Sequence, residues 1–123
     1  MKKKFLDFGM QPITNAFLTE DKFDEEYFYN LSIGIDEDTK LVSLMESVKP
    51  ELMFNDVYAH RASMSETMRN SFKAVAESLI KQFRPKNVLE IGSNDGVFIR
   101  NFSKEAIVAI EPCQNLADLT NGM

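Results

Sequence analysis

The stretch Asn87-Val-Leu-Glu-Ile-Gly-Ser-Asn-Asp-Gly96 decides the fold of this chain. An apolar run rich in β-branched residues stops at Gly92, and the pattern predicts a helix that begins after Gly96. A second apolar run, Ala106-Ile-Val-Ala-Ile110, follows and ends on Glu111. This order predicts two neighbouring parallel strands joined by a glycine turn and a crossover helix.

The glycine turn has the composition of a nucleotide site. Backbone N–H groups at the start of the predicted helix are free to bind a polar or anionic ligand. Glu111 lies about 20 residues beyond the start of the turn, the offset at which a carboxylate accepts ribose hydroxyls in a Rossmann-like sheet. The pattern Glu90-x-Gly92-x-x-x-Gly96, with Asn94 at the place of a middle glycine, fits S-adenosylmethionine (SAM) better than a dinucleotide. Alternatively, the two glycines serve only positive φ angles and close packing.

The predicted cofactor contacts are the residues of the turn and the acid after the second strand. They are Glu90, Gly92, Ser93, Asn94, Asp95, Gly96 and Glu111.

Further segments extend the pattern beyond the turn. They are Gly9-Met-Gln-Pro-Ile-Thr-Asn-Ala-Phe17, Met53-Phe54, Tyr58-Ala59, Ser63-x-Ser65 and Ile110-Glu-Pro112 with Asn115 soon after. With them the chain resembles the front part of the SAM-dependent sugar C-methyltransferases. The resemblance implies a small N-terminal zinc-binding domain ahead of a class I methyltransferase domain, and methylation of a carbon in a nucleotide-linked deoxysugar.

The zinc ligands of that family are missing here. The family holds zinc with two cysteine pairs. The sequence begins at about the point where the first pair should already have passed, and it has Asp36 and Thr39 at the place of the second pair. We therefore expect no zinc and no metal ligands, and we interpret Asp36 as part of a polar turn. Order in this lobe is then expected to depend on apolar contacts among Phe5, Leu6, Phe8, Leu31, Ile33, Leu41 and Leu44.

The fold class is predicted to be α/β, in three parts. Residues 1–52 form a small β-rich lobe, 53–85 a linker and helix, and 86–123 the βαβα start of a Rossmann-like SAM-binding sheet. The helix is predicted to begin at a capping box of Ser63 and Glu66 and to end before Pro85. Because two parallel strands are not a stable sheet, we expect an N-terminal fragment, a truncated gene product or one half of a complex.

Composition excludes several partners. The net charge is −5 and the only basic run is Lys2-Lys3-Lys4, which argues against nucleic acid. No apolar stretch approaches the ~20 residues that span a bilayer, and no export signal follows the basic start. We therefore expect a cytoplasmic protein without a membrane partner. Cys113 is the only cysteine, so no internal disulfide can form.

Methyl transfer to carbon requires a general base beside an acidic C–H. Tyr58 matches a tyrosine of the family, which implies a phenol that faces the sugar. His60, the only histidine, is the second candidate, although an isolated histidine in a loop more often serves packing. The resemblance assigns the main acid–base residues to a later part of such enzymes, so this chain alone is expected to be inactive. The alternative is a non-catalytic or degenerate binding module derived from such an enzyme.

Overall fold

Three antiparallel strands build the first of two units, Met1–Met53. The structure, a computed structural model, describes residues 1–121. The strands are β1 (Lys2–Pro12), β2 (Phe28–Asp36) and β3 (Val42–Leu44), in the order β1-β2-β3. A 3-10 turn at Glu20–Glu25 and one turn of helix, α1 (Pro50–Met53), complete the unit. The predicted small β-rich lobe is confirmed.

A polar turn joins β2 to β3. Asp36 Oδ1 accepts the backbone N–H groups of Asp38 and Thr39 at 3.0 and 2.9 Å. The Lys40 N–H donates to the Asp36 carbonyl at 2.9 Å, and Lys40 itself has a φ of 62°. Asp36 therefore closes a turn by side-chain-to-backbone bonds, as its polar neighbours predict.

The first unit has little apolar core. Its buried residues are Ser32, Gly34 and Val48, whereas Phe5 and Phe8 remain 58% and 53% exposed. Leu6, Leu41 and Leu44 are exposed as well. Leu31 and Ile33 are half-buried. The predicted apolar residues therefore do not form a buried core, because within this unit a single sheet is accompanied by only short helical turns and a core needs a second layer.

The second unit begins at Phe54 and contains the long helix and the parallel strands. Its elements are α2 (Glu66–Phe83), β4 (Val88–Ile91), β5 (Ile107–Ile110) and α3 (Gln114–Asn121). The molecule is thus mixed α/β, as predicted. Residues 122 and 123, the end of the predicted third part, lie outside the described residues.

Helix α2 begins two residues later than the predicted capping box. Its N-cap is Ser65, whose Oγ accepts the Met68 N–H at 3.3 Å, and Arg84 ends it with a φ of 48° just before Pro85. Ser63 instead lies in a 3-10 turn, Ala62–Met64, and its N–H donates to the Asp95 carboxylate. The predicted capping box is wrong, because Asp95 accepts the Ser63 N–H that the Glu66 side chain would accept in such a box.

Strands β4 and β5 pair in parallel, as predicted. The register runs from Val88 opposite Ile107 to Ile91 opposite Ile110. One face of this pair is apolar and exposed, since Leu89, Ile91, Val108 and Ile110 are 59%, 77%, 60% and 51% accessible.

No α-helix connects β4 to β5, so the predicted helix after Gly96 and the βαβα order are wrong. The connection contains two 3-10 turns, Ile99–Asn101 and Lys104–Ala106. The Asn101 side chain donates to the Val97 and Phe98 carbonyls at 3.1 and 2.8 Å. A side chain that competes for these carbonyls favours a short turn over a continuing helix.

The second unit has its own core. Ala76, Ile99, Cys113 and Leu116 are fully buried, and Val97 nearly so. Phe98 lies between Phe72 and Phe102, with ring centroids 5.7 and 5.3 Å away. In residues 1–121, no helix combines the length and the apolar character that a membrane crossing requires.

Candidate functional site

Gly92 and Glu111 leave the two parallel strands at the same edge. Each follows directly on a strand's last residue, and those residues, Ile91 and Ile110, are register partners. The N–H groups of Gly92 and Ser93 both donate to the Ile110 carbonyl, at 2.8 and 3.2 Å. The carboxyl edge of parallel strands is where α/β proteins bind ligands.

The glycine turn depends on positive φ angles. Gly92, Asn94 and Gly96 have φ values of 77°, 51° and 72°. Asparagine tolerates this region better than most residues, which explains why Asn94 can stand where a glycine is otherwise expected. A Cβ at Gly92 would meet no atom within 4 Å, so open space lies beside the turn. The glycines therefore serve backbone conformation, and Gly92 also borders open space.

The Glu111 carboxylate is fixed by two backbone donors. Its Oε2 accepts the Asn94 N–H at 2.7 Å, and its Oε1 accepts the Cys113 N–H at 2.9 Å. A carboxylate has about four lone-pair positions, so about two remain for further donors. Glu111 is thus oriented and still able to accept two hydroxyl groups.

A cavity of about 230 Å³ lies at this edge. Its lining consists of Phe54, Tyr58, Gly92, Asn94, Glu111 and Pro112. Sites that enclose a whole drug-sized ligand measure roughly 300–1,000 Å³, so this one encloses only part of such a ligand. None of its lining residues is basic.

One wall of the cavity comes from residues 54–63, which we call the aromatic segment. The Phe54 and Tyr58 rings lie 5.5 Å apart, and His60 meets Tyr58 edge-on at 6.4 Å. His60 does not line the cavity. The segment thus presents two aromatic faces beside Glu111.

Glu90 lies on β4 with a raised pKa. Burial is the main cause and the negative charge of Glu111 adds to it, whereas a backbone hydrogen bond from Ile99 acts in the opposite direction. In the described residues, Glu90 Oε2, Ser93 Oγ and Asn115 Oδ1 are buried without a hydrogen-bond partner. Buried polar atoms of this kind are normally satisfied by water or a ligand.

The structure brings some of the sequence-predicted residues together and separates others. Gly92, Asn94, Glu111 and Tyr58 line the cavity. Ser93, Asp95 and Gly96 are buried in the turn, and Glu90 is half-buried in the strand. Sequence reasoning did not assign roles to Phe54, Pro112 and Asn115, although the segments used for the family resemblance contain all three.

Metal ligands do not gather in the described part of the chain. Across residues 1–121 no three His, Cys, Asp or Glu side chains are placed to hold an ion. Zinc in structural sites is held mainly by cysteine and histidine, and residues 1–54 contain neither.

Comparison with protein families gives a match in the first unit. Residues 1–54 match a family model for a methyltransferase-associated domain whose description is "Putative zinc binding domain". A search of curated proteins found no match. The first unit is therefore related to a methyltransferase-associated domain, but the donor set that it contains does not fit zinc.

Proposed function

We propose that this chain is the N-terminal portion of a SAM-dependent methyltransferase that methylates a carbon of a nucleotide-linked sugar. The family match at residues 1–54 supports a methyltransferase relationship. The observation that supports SAM as the cofactor is the position of Glu111, whose oriented carboxylate borders the cavity beside the glycine turn. Its two unused acceptor positions suit the two hydroxyls of a ribose.

Charge favours SAM over a dinucleotide. Glu111 borders the cavity, Glu90 and Asp95 lie close by in sequence on β4 and the turn, and no basic residue lines the space. A pyrophosphate in this position would meet like charge, whereas the sulfonium and ammonium groups of SAM would be attracted. The site therefore suits a cationic nucleoside better than an anionic one.

The residues of the chain would act by binding and positioning. When bound, SAM supplies an electrophilic methyl group. Glu111 would hold the ribose, the glycine turn would approach the ligand closely, and the Tyr58 phenol would stand on the substrate side of the cavity wall. His60 is the weaker base candidate because it lies outside the lining.

The size of the cavity favours a second candidate, a binding module without turnover. About 230 Å³ encloses only part of SAM, so much of the ligand would stay in water. We therefore expect weak SAM binding and no methylation of nucleotide-linked sugars by this chain alone. Robust methylation by this chain alone would exclude the hypothesis of a binding module without turnover, and it would assign Tyr58 or His60 to catalysis.

Calorimetric titration of the 123-residue chain with SAM, and separately with NAD, tests the proposal. We expect SAM to bind and NAD not to bind. Glu111→Gln replaces one acceptor oxygen by a donor, so binding should weaken by about 10- to 100-fold, the worth of a charged hydrogen bond. Glu77→Gln, an exposed change on α2, is the matched control and should bind as the wild type does. Equal affinity of the Glu111 variant, or a preference for NAD, would contradict the proposed site.

A further inference from the structure

The aromatic segment is held in place from outside itself. It contains no helix or strand before the 3-10 turn at Ala62–Met64, and Val57 at its centre is 80% exposed. Its own bonds are local, from the N–H groups of Val57 and Tyr58 to Asn55. Such a segment depends on tertiary hydrogen bonds for its order.

Those tertiary bonds come from the glycine turn and from helix α3. Asn94 Oδ1 accepts the Ala62 N–H at 2.9 Å, and Asn94 Nδ2 donates to the His60 carbonyl at 3.2 Å. Both carboxylate oxygens of Asp95 accept the Ser63 N–H at 3.2 Å. In addition, Asn115 Nδ2 donates to the carbonyl of Tyr58 at 3.0 Å.

Asn94 also holds the carboxylate. Its backbone N–H donates to Glu111 Oε2 at 2.7 Å, while its side chain holds His60 and Ala62. A φ of 51° is the conformation in which this one residue makes both sets of bonds. Asn94 is therefore the residue that bonds directly to both the Glu111 carboxylate and the aromatic segment.

We propose that Asn94 is a positioning residue that couples Glu111 to the aromatic segment, so that a ligand held by the carboxylate orders Phe54 and Tyr58 around itself. The identity of that ligand as SAM rests on the proposed function, whereas the coupling does not. By thermodynamic reciprocity, a segment that is already ordered raises ligand affinity, and a bound ligand protects the segment.

Amide hydrogen exchange of the ligand-free 123-residue chain tests the coupling. Asn94→Gly keeps the positive φ and the backbone N–H to Glu111 but removes both side-chain bonds. We expect exchange of the Ala62 amide to accelerate by about tenfold, the effect of losing hydrogen bonds of ordinary strength. The matched control is Asn15→Gly, which replaces another asparagine of positive φ, 69°, in the first unit and should leave Ala62 unchanged.

A second variant separates coupling from a merely local contact. Glu111→Gln leaves the Asn94 side chain intact, yet it should also accelerate exchange of the Ala62 amide. In the double variant, the acceleration of Ala62 exchange should then be smaller than the product of the two single accelerations, because both substitutions act through the same residue. Asn94→Asp retains the acceptor for Ala62 and should give an intermediate rate.

The outcomes decide the two proposals separately. Amides of α2 should exchange at the wild-type rate in every variant, which shows that the unit remains folded. Unchanged Ala62 exchange in Asn94→Gly or in Glu111→Gln, or purely multiplicative effects in the double variant, would overturn the coupling. Failure of SAM to bind the wild type would overturn the proposed function. The exchange rates of the ligand-free variants would still decide whether Asn94 couples Glu111 to the aromatic segment. If SAM binds, it should slow exchange of residues 54–63 in the wild type and lose that effect in Asn94→Gly.

Discussion

The Cys113 backbone N–H donates to Glu111 at 2.9 Å, while the thiol of Cys113 is fully buried. One residue thus orients the carboxylate and keeps its sulfur away from solvent. Burial is the main cause of a raised pKa of the thiol, and together with the nearby negative charge of Glu111 it brings that pKa to about 11.

The Cys113 thiol should therefore be unreactive in the native chain. At pH 8 we expect its alkylation to be more than about 100-fold slower than in the urea-unfolded chain, because little thiolate forms and access is blocked. The rate of reaction with iodoacetamide, followed by mass spectrometry, measures this. Similar rates in the folded and unfolded chains would show that the thiol is accessible.

A methyl group at Gly34 should destabilise the first unit. A Cβ there would collide with Met45 Sδ and would lie 3.0 Å from the Lys3 carbonyl oxygen. Met45 can rotate away, but the backbone of β1 cannot without breaking the pairing. We expect Gly34→Ala to cost about 1–3 kcal/mol of unfolding free energy, measured by urea denaturation. Ser43→Ala, at the position paired with Gly34 on β3, is the control and should cost less. Equal costs would mean that β1 yields to the added methyl.

The raised pKa of Glu90 predicts a pH dependence of stability. A carboxyl whose pKa is higher in the folded state favours folding below its unfolded pKa, and this contribution is lost as pH rises through the folded pKa. Glu90→Gln should therefore stabilise the chain at pH 7, with a gain that shrinks as pH falls towards the ordinary pKa of a glutamate, about 4.5. Thermal unfolding of both proteins between pH 4 and 7 measures this difference. A gain independent of pH would assign the effect to packing instead.

Zinc should be absent from the purified chain. Residues 1–54 contain no cysteine or histidine, and carboxylates alone are poor ligands for structural zinc. We expect well below one zinc per chain by atomic emission, and no change in the melting temperature with a chelator. Stoichiometric zinc would mean that carboxylates such as Asp36 have formed a site. That result would overturn the conclusion that the donor set of the first unit does not fit zinc.

The parallel pair and the edge position of Glu111 were predictable from sequence. Two short β-branched runs on either side of a glycine turn determine them, since parallel strands end at a common edge. The connecting helix was not predictable in the same way. The helix does not form there because the Asn101 side chain bonds to the Val97 and Phe98 carbonyls and favours a short turn. The periodicity of the sequence does not indicate these bonds.

Tertiary hydrogen bonds account for the other differences. Ser63 and Ser65 are equally good caps by residue type, and the bond from Ser63 to Asp95, 32 residues away, decides between them. Likewise Asn115 reaches the Tyr58 carbonyl across 57 residues, a contact that no local pattern contains. The residues of the turn could therefore be named from the sequence, but the aromatic segment's attachment to the turn could not.

The exposed face of β4 and β5 has a practical consequence for handling the protein. Within residues 1–121, each of the two strands has one side without a paired neighbour, so backbone N–H and C=O groups accompany the apolar side chains of Leu89, Ile91, Val108 and Ile110. Unprotected strand edges of this composition are templates for aggregation. Solubility, more than unfolding, should then limit the concentration at which this chain can be kept.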